Sequence, residues 1–328
     1  MKPRSLLLLV WFGVALSQGC DNRSSQPSAA STPVPAQRKL RLGFVGNNAN
    51  YYWSMVRQGC DSAARELGDV DLDFRTIPER TVAAQQQVVS NFVAGGVVGI
   101  ALSPIDAESQ TDFLNSLATN VLLICTDSDA EKTKRACYIG SDNVAAGVQA
   151  AELLKAALPQ GGKIALFVGN LNAQNAKERI QGIQSGLAGS NIEIIDILAN
   201  EGKPTLAQKN AEDALAKYPD LAGMVGIYSY HGPAILTAVR SAGKAGKVKI
   251  VCFDQDSETL AGIAAGEIYG TIVQKPFTIG RQAIMRMEKY LNGDKTQLAD
   301  GKIIIPTKAI TRANVAPLQH MLQYAQEE

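Results

Sequence analysis

From residue 40 onward, short apolar runs alternate with longer stretches of helical periodicity, and this rhythm constrains the fold more than any other feature. Strands are expected over 40–45, 70–77, 97–102 and 121–125, and helices over 52–67, 82–94 and 107–119, the first helix ending at Gly68. The strand runs are mostly apolar rather than alternating, which is the pattern of strands covered on both faces. Strand, crossover helix and next parallel strand together give a doubly wound parallel sheet of the α/β class. After residues 138–140 the rhythm begins again, with helices over 144–157, 173–187, 205–217, 233–242 and 257–265 and strands over 163–168, 193–198, 223–227 and 249–253. A chain of 328 residues exceeds the length at which single cores usually divide, so two lobes of like architecture are expected, with no close sequence repeat between them.

In open parallel sheets, ligands meet the ends of the strands. Residues 250–254 and 270–276 each begin as a short apolar strand and reach a polar side chain, Asp254 in the first and Gln274 in the second. Asp254 offers two acceptor oxygens and Gln274 an amide with donors and an acceptor, a set suited to the neighbouring hydroxyls of a sugar. The plainer alternative is that Asp254 caps the helix after its strand and Gln274 is ordinary edge polarity. Charge adds an exclusion, because 32 basic and 31 acidic residues leave no footprint for nucleic acid. The loop 46–53 lacks the glycine spacing of a dinucleotide or Walker site, so phosphate is disfavoured there.

The two strand ends resemble those of the periplasmic sugar-binding proteins typified by the ribose-binding protein, a family sharing its fold with the sensor domains of lac-type repressors. The resemblance extends from about residue 40 to 315. It implies a ligand set of Asn50, Tyr52 and Trp53 after the first strand, Asp127 after the fourth, Arg179 on a helix of the second lobe, and Asp254 with Gln274. Aromatic faces would pack on the apolar side of a sugar ring while amides and carboxylates meet its hydroxyls; core filling is the alternative for Tyr52 and Trp53. Ser128 stands where the family pairs the Asp with an Arg, and Tyr228 where relatives often have Asn or Asp. Near Gly202 and Lys203 relatives place an aromatic that is missing here. His231 reads as a loop residue rather than a catalyst or metal ligand. The resemblance also implies three crossings between lobes, with hinge residues Asp142, Asn143, Lys275 and Pro306, Asp142 and Asn143 serving equally as helix caps. Helix 278–291 and strand 303–305 would return to the first lobe, giving lobes of 39–141 plus 275–304 and 142–274 plus 305–328.

Residues 1–20 read as a leader: Lys2 and Arg4 precede an apolar run over 6–16, too short to span a bilayer. The run 17–20 resembles the lipoprotein cleavage box with Cys20 as the lipidated residue, although Leu16 lies four residues before the cysteine rather than three; the alternative is an ordinary secreted protein with an incidental Cys20. Residues 21–38, rich in Ser, Pro, Ala and Gln, read as a flexible tether. Cys60, Cys125, Cys137 and Cys252 read as buried free thiols, the alternative being a Cys125–Cys137 disulfide, which an exported location permits but two parallel-strand positions make awkward; no spacing suggests a metal. The chain carries no nucleophile elbow or zinc-protease helix, so no catalytic residue and no cofactor is expected. The expectation is therefore a monomeric, extracytoplasmic receptor in the periplasm or cell envelope. It would be lipid-anchored to a membrane and would carry a pentose or hexose to the permease subunits of an ABC importer. Three alternatives stand beside it: a transcriptional repressor, which would need a helix-turn-helix ahead of residue 40 where a leader is read instead, a sensor feeding a membrane receptor or kinase, and an enzyme acting on glycosides; the ligand could also be a non-sugar such as a furanone signal or nucleoside.

Overall fold

A computed structural model describes residues 39–319, so the expected leader, the tether and Cys20 lie outside the described residues. Two six-stranded sheets carry the architecture. The first runs in the order β11 (Lys302–Ile304), β5 (Cys137–Gly140), β4 (Leu122–Thr126), β3 (Gly99–Leu102), β1 (Leu40–Val45), β2 (Val70–Arg75) and is wholly parallel. The second runs β12 (Lys308–Thr311), β10 (Gly270–Val273), β9 (Lys249–Phe253), β8 (Leu221–Gly226), β6 (Gly162–Val168), β7 (Ile192–Ala199). Its strands are parallel except β12, which runs antiparallel to β10. The helices are α1 (Tyr51–Leu67), α2 (Val82–Ala94), α3 (Thr111–Leu117), α4 (Asn143–Ala157), α5 (Gln174–Leu187), α6 (Pro204–Lys217), α7 (His231–Ser241), α8 (Ser257–Ala265) and α9 (Pro276–Leu291).

Beyond shifts of a few residues at element ends, two differences from expectation have a definite physical reason. The third helix starts only at Thr111, because Asp106 Oδ1 accepts from the backbone N–H groups of Glu108 and Ser109 and folds residues 106–109 into a side-chain-stabilised turn. Strand β12 was not expected. The chain leaves β11 at the end where the parallel strands finish and enters the second sheet from that same end, so it runs against β10.

The chain passes between the sheets three times, after β5, after β10 and between β11 and β12. In each layer two helices meet at glycines. A Cβ on Gly59 of α1 would lie 2.0 Å from the Phe277 carbonyl, and one on Gly280 of α9 would lie 2.1 Å from the Val56 carbonyl. Gly147 of α4 and Gly182 of α5 repeat the arrangement, their absent Cβ atoms falling 2.3 Å from the Arg179 carbonyl and 2.1 Å from the Val144 carbonyl. The second contact brings the helix bearing Arg179 against the one that begins at Asn143.

The four cysteines of the described residues are free and buried. Cys125 and Cys137 lie on neighbouring strands but face opposite sides of the sheet, one in the core with Val89 and Leu114, the other in the core with Val56 and Ile284. That separation, not redox environment, keeps them apart.

Candidate ligand site between the lobes

The site grows from two equivalent strand ends. Asp127 directly follows β4 in the first sheet and Asp254 directly follows β9 in the second, and both adopt left-handed backbone, with φ of 60° and 70°. A non-glycine residue held there costs on the order of 1 kcal/mol, which persists where the surroundings over-determine it. Aspartate is among the side chains that tolerate this region best, and the turn aims each carboxylate off the end of its sheet.

Both carboxylates are buried and tied down. Asp127 Oδ2 accepts from Ser103 Oγ at 2.9 Å and from Asn175 Nδ2 at 3.0 Å, the second bond joining the first sheet's side of the site to α5. Asp254 Oδ1 accepts from Gln274 Nε2 at 2.9 Å, while Gln274 Oε1 accepts from Ser141 Oγ at 3.0 Å. The helix after β9 is capped by Asp256, which accepts from Glu258 N, so Asp254 has no capping duty. Burial pushes Asp254 up to about 6, opposed by the Arg179 guanidinium and the Gln274 amide and reinforced by Asp127. Burial raises Asp127 as well, against Arg179 and the polar side chains of Ser103, Tyr52 and Asn175.

Arg179, on the second turn of α5, is the largest fully buried side chain among the described residues. Its Nε donates to Asn143 Oδ1 at 2.9 Å, its Nη1 to the Ile227 carbonyl at 2.8 Å, and its guanidinium carbon lies 4.7 Å from the centre of the Phe253 ring. Its Nη2 is buried without a partner. A donor left so costs about 1–3 kcal/mol, and this one belongs to a side chain that lines the site with both carboxylates.

Asn50 caps α1, accepting from Trp53 N at 3.4 Å, and thereby sets Tyr52 and Trp53 in the first helical turn. Both rings border the site and also belong to the first lobe's core, meeting edge to face at 5.2 Å, so the two readings of these aromatics coexist. The Tyr52 hydroxyl is a second buried group with no partner in good hydrogen-bond geometry, although it lies near Asp127. Tyr228 borders the site from the end of β8, its hydroxyl 3.4 Å from Asn175 Oδ1. Ser128 is fully buried, and its Oγ accepts from Asn175 N at 3.4 Å, so this small side chain sits against α5. Of the crossing residues, Asp142 is the exposed cap of α4, accepting from Ala145 N at 2.9 Å, and Lys275 and Pro306 are exposed. Asn143 is buried beside Arg179 and also donates to the Asp127 carbonyl. His231 is the first residue of α7, not a loop residue. Its Nδ1 accepts from Tyr228 N and burial pushes it down to about 3, so it is a neutral brace for the Tyr228 turn.

Sequence reasoning passed over Asn47, Asn48, Ser103, Asn175 and Ser229, of which all but Ser103 line the site. Asn175 was legible in principle, since it precedes Arg179 by four residues and shares its helix face. Ser103 follows β3 as Asp127 follows β4. The inner cavity holds only about 40 Å³, the room of about one water, because its polar groups bond to one another. Asn47, Asn48 and Tyr228 connect it to an outer cleft of about 670 Å³. There Gly202, at φ 71°, faces Arg80, whose Cδ would lie 2.7 Å from a Cβ on it. Where relatives place an aromatic, that wall is an arginine stem.

Two α/β lobes meeting over buried, partly unpartnered polar groups define a solute receptor. The family model for the periplasmic binding protein domain matches residues 43–295, and the chain belongs to this family, whose members are extracytoplasmic receptors rather than enzymes. Among its relatives are the ribose import binding protein of Bacillus subtilis, 25% identical over 80% of this chain and 85% of the relative, and a putative rhizopine-binding protein of Rhizobium meliloti, 25% identical over 82% and 88%. A solved solute-binding protein of an ABC transporter from Burkholderia graminis, in complex with D-arabinose, superposes with a TM-score of 0.80 at 26% identity over 86% of this chain and 98% of that one. No described helix is long and apolar enough to cross a membrane, and no group of side chains among the described residues is arranged to hold a metal ion.

Proposed function

We propose that this protein captures a small sugar, a pentose or hexose, between its two lobes and delivers it to the permease subunits of an ABC importer. The observation that carries the reading is the meeting of Asp127 and Asp254, on strand ends of different sheets, around the partnerless Nη2 of Arg179. Paired acceptors and an in-plane donor fit the vicinal hydroxyls and ring oxygen of a sugar, while Tyr52, Trp53 and Tyr228 offer ring faces. The ribose- and arabinose-binding relatives support the same class. Asn175 and Gln274 bond to the two carboxylates in this structure; a sugar would take over such bonds and bridge residues 39–141 plus 275–304 to residues 142–274 plus 305–328. Closure then gains whatever affinity difference the ligand has for the two forms, with Asp142, Asn143, Lys275 and Pro306 absorbing the rotation. The reading includes export by residues 1–20, lipidation at Cys20, a tether over 21–38 and a monomeric state.

The test is a thermal-shift screen against pentoses, hexoses, polyols, nucleosides and amino acids, because a ligand that binds only the folded state raises the midpoint. A sugar response that disappears in Arg179→Ala and Asp254→Ala supports the reading. A response confined to nucleosides or amino acids overturns it.

A further inference from the structure

The charges in the inner cavity do not balance. Its lining contains two carboxylates, Asp127 and Asp254, and one guanidinium, Arg179; the rest are asparagine, glutamine, serine, tyrosine and tryptophan. Ser128 occupies the place next to Asp127, is wholly buried, and contributes only a hydroxyl. No other cation lines this cavity; Arg80, in the outer cleft, donates to Asn48 Oδ1 and stands one side chain behind the lining. Asp129, two residues on, is paired with Arg135, and Glu178, on the same helix as Arg179, accepts from Gln174. Each aspartate uses a single oxygen for its well-formed hydrogen bonds, Oδ2 in Asp127 and Oδ1 in Asp254, and the Tyr52 hydroxyl also lies near Asp127. Net negative charge in a buried site is costly unless something positive enters with the ligand.

We propose that the ligand carries a protonated amine, as an amino sugar or aminocyclitol does, and that its ammonium group sits between Asp127 and Asp254. The inference deepens the sugar reading and rests on it. The ring hydroxyls still meet Arg179 Nη2, Asn175 and Gln274, and the ammonium supplies three donors to the two carboxylates. A neutral sugar would leave the second carboxylate without a counter-charge.

Isothermal titration of the full-length protein in mild detergent at pH 7 compares glucosamine, galactosamine and a monoamino inositol with glucose, galactose and inositol. At least one amine is expected to bind about tenfold or more tightly than its hydroxyl counterpart, the ratio that one hydrogen bond between charged groups supports. In Asp254→Asn that ratio is expected to fall toward one. Four results overturn the proposal. In one, a neutral sugar binds as tightly as its amine. In another, the preference survives Asp254→Asn. In the third, titration in buffers of different ionisation heat shows a neutral sugar binding with uptake of about one proton, so that a proton and not an amine balances the site. In the fourth, no amine binds while a neutral sugar that raised the midpoint in the thermal-shift screen does; if no sugar in that screen binds either, the sugar reading itself fails along with this one.

Discussion

Replacing Asp254 by Asn should make the ligand-free protein more stable near neutral pH while impairing the site. In the folded protein Asp254 is pushed up to about 6 from 3.8, chiefly by burial. At 1.36 kcal/mol per pH unit the gap amounts to about 3 kcal/mol. A folded-state pKa above the unfolded one contributes stability that is fully present below 3.8 and is lost as pH rises through 6, so at pH 7.5 the ionised carboxylate holds the wild type about 3 kcal/mol below its acid-side stability. Asparagine keeps the shape and can still accept from Gln274 Nε2 through its own oxygen, but it never ionises. The variant should therefore melt about 6 °C above wild type at pH 7.5, at roughly 2 °C per kcal/mol for a chain of this size, with the difference vanishing near pH 4. The assay is a pair of melting curves across pH 4–8 without ligand, followed by ligand titration. A variant less stable than wild type at pH 7.5, or a difference that does not change with pH, would refute the reasoning. Asp254 would then owe its place to folding rather than to a ligand.

Three further outcomes follow from the same geometry. Arg179→Met should abolish ligand binding and cost about 3–5 kcal/mol in urea denaturation at pH 7.5, since two buried carboxylates lose their shared cation; the loss should shrink at pH 5 as Asp254 protonates, and unchanged stability would count against the pairing. Gly147→Ala should cost about 1–3 kcal/mol and weaken binding, because the new Cβ would lie 2.3 Å from the Arg179 carbonyl and force α5 away from α4; full binding in a folded Gly147→Ala protein would show that the glycine contact does not position Arg179. Cys60, Cys125, Cys137 and Cys252 should resist iodoacetamide at pH 8 until the protein is unfolded, Cys137 being pushed up to about 11 and Cys252 to about 12 by burial, and peptide mass mapping of native samples reads this directly.

The chain's own pattern determined the α/β class, the two layers of parallel strands and the strand ends at Asp127, Asp254 and Gln274. These follow from local rules, because an apolar run covered on both faces and a polar residue at its end are visible one segment at a time. Tertiary structure alone decided which side chains meet. That Asn175 reaches across to Asp127, that Asn143 fixes the Arg179 guanidinium rather than merely starting a helix, and that His231 braces Tyr228 depend on positions tens of residues apart. The antiparallel course of β12 depends on the end from which the chain enters the second sheet. The charge imbalance is the plainest case. Ser128 is readable as a missing cation in the sequence, but only the fold shows that no other basic residue among those lining the cavity takes its place, because compensation is a property of distance in space.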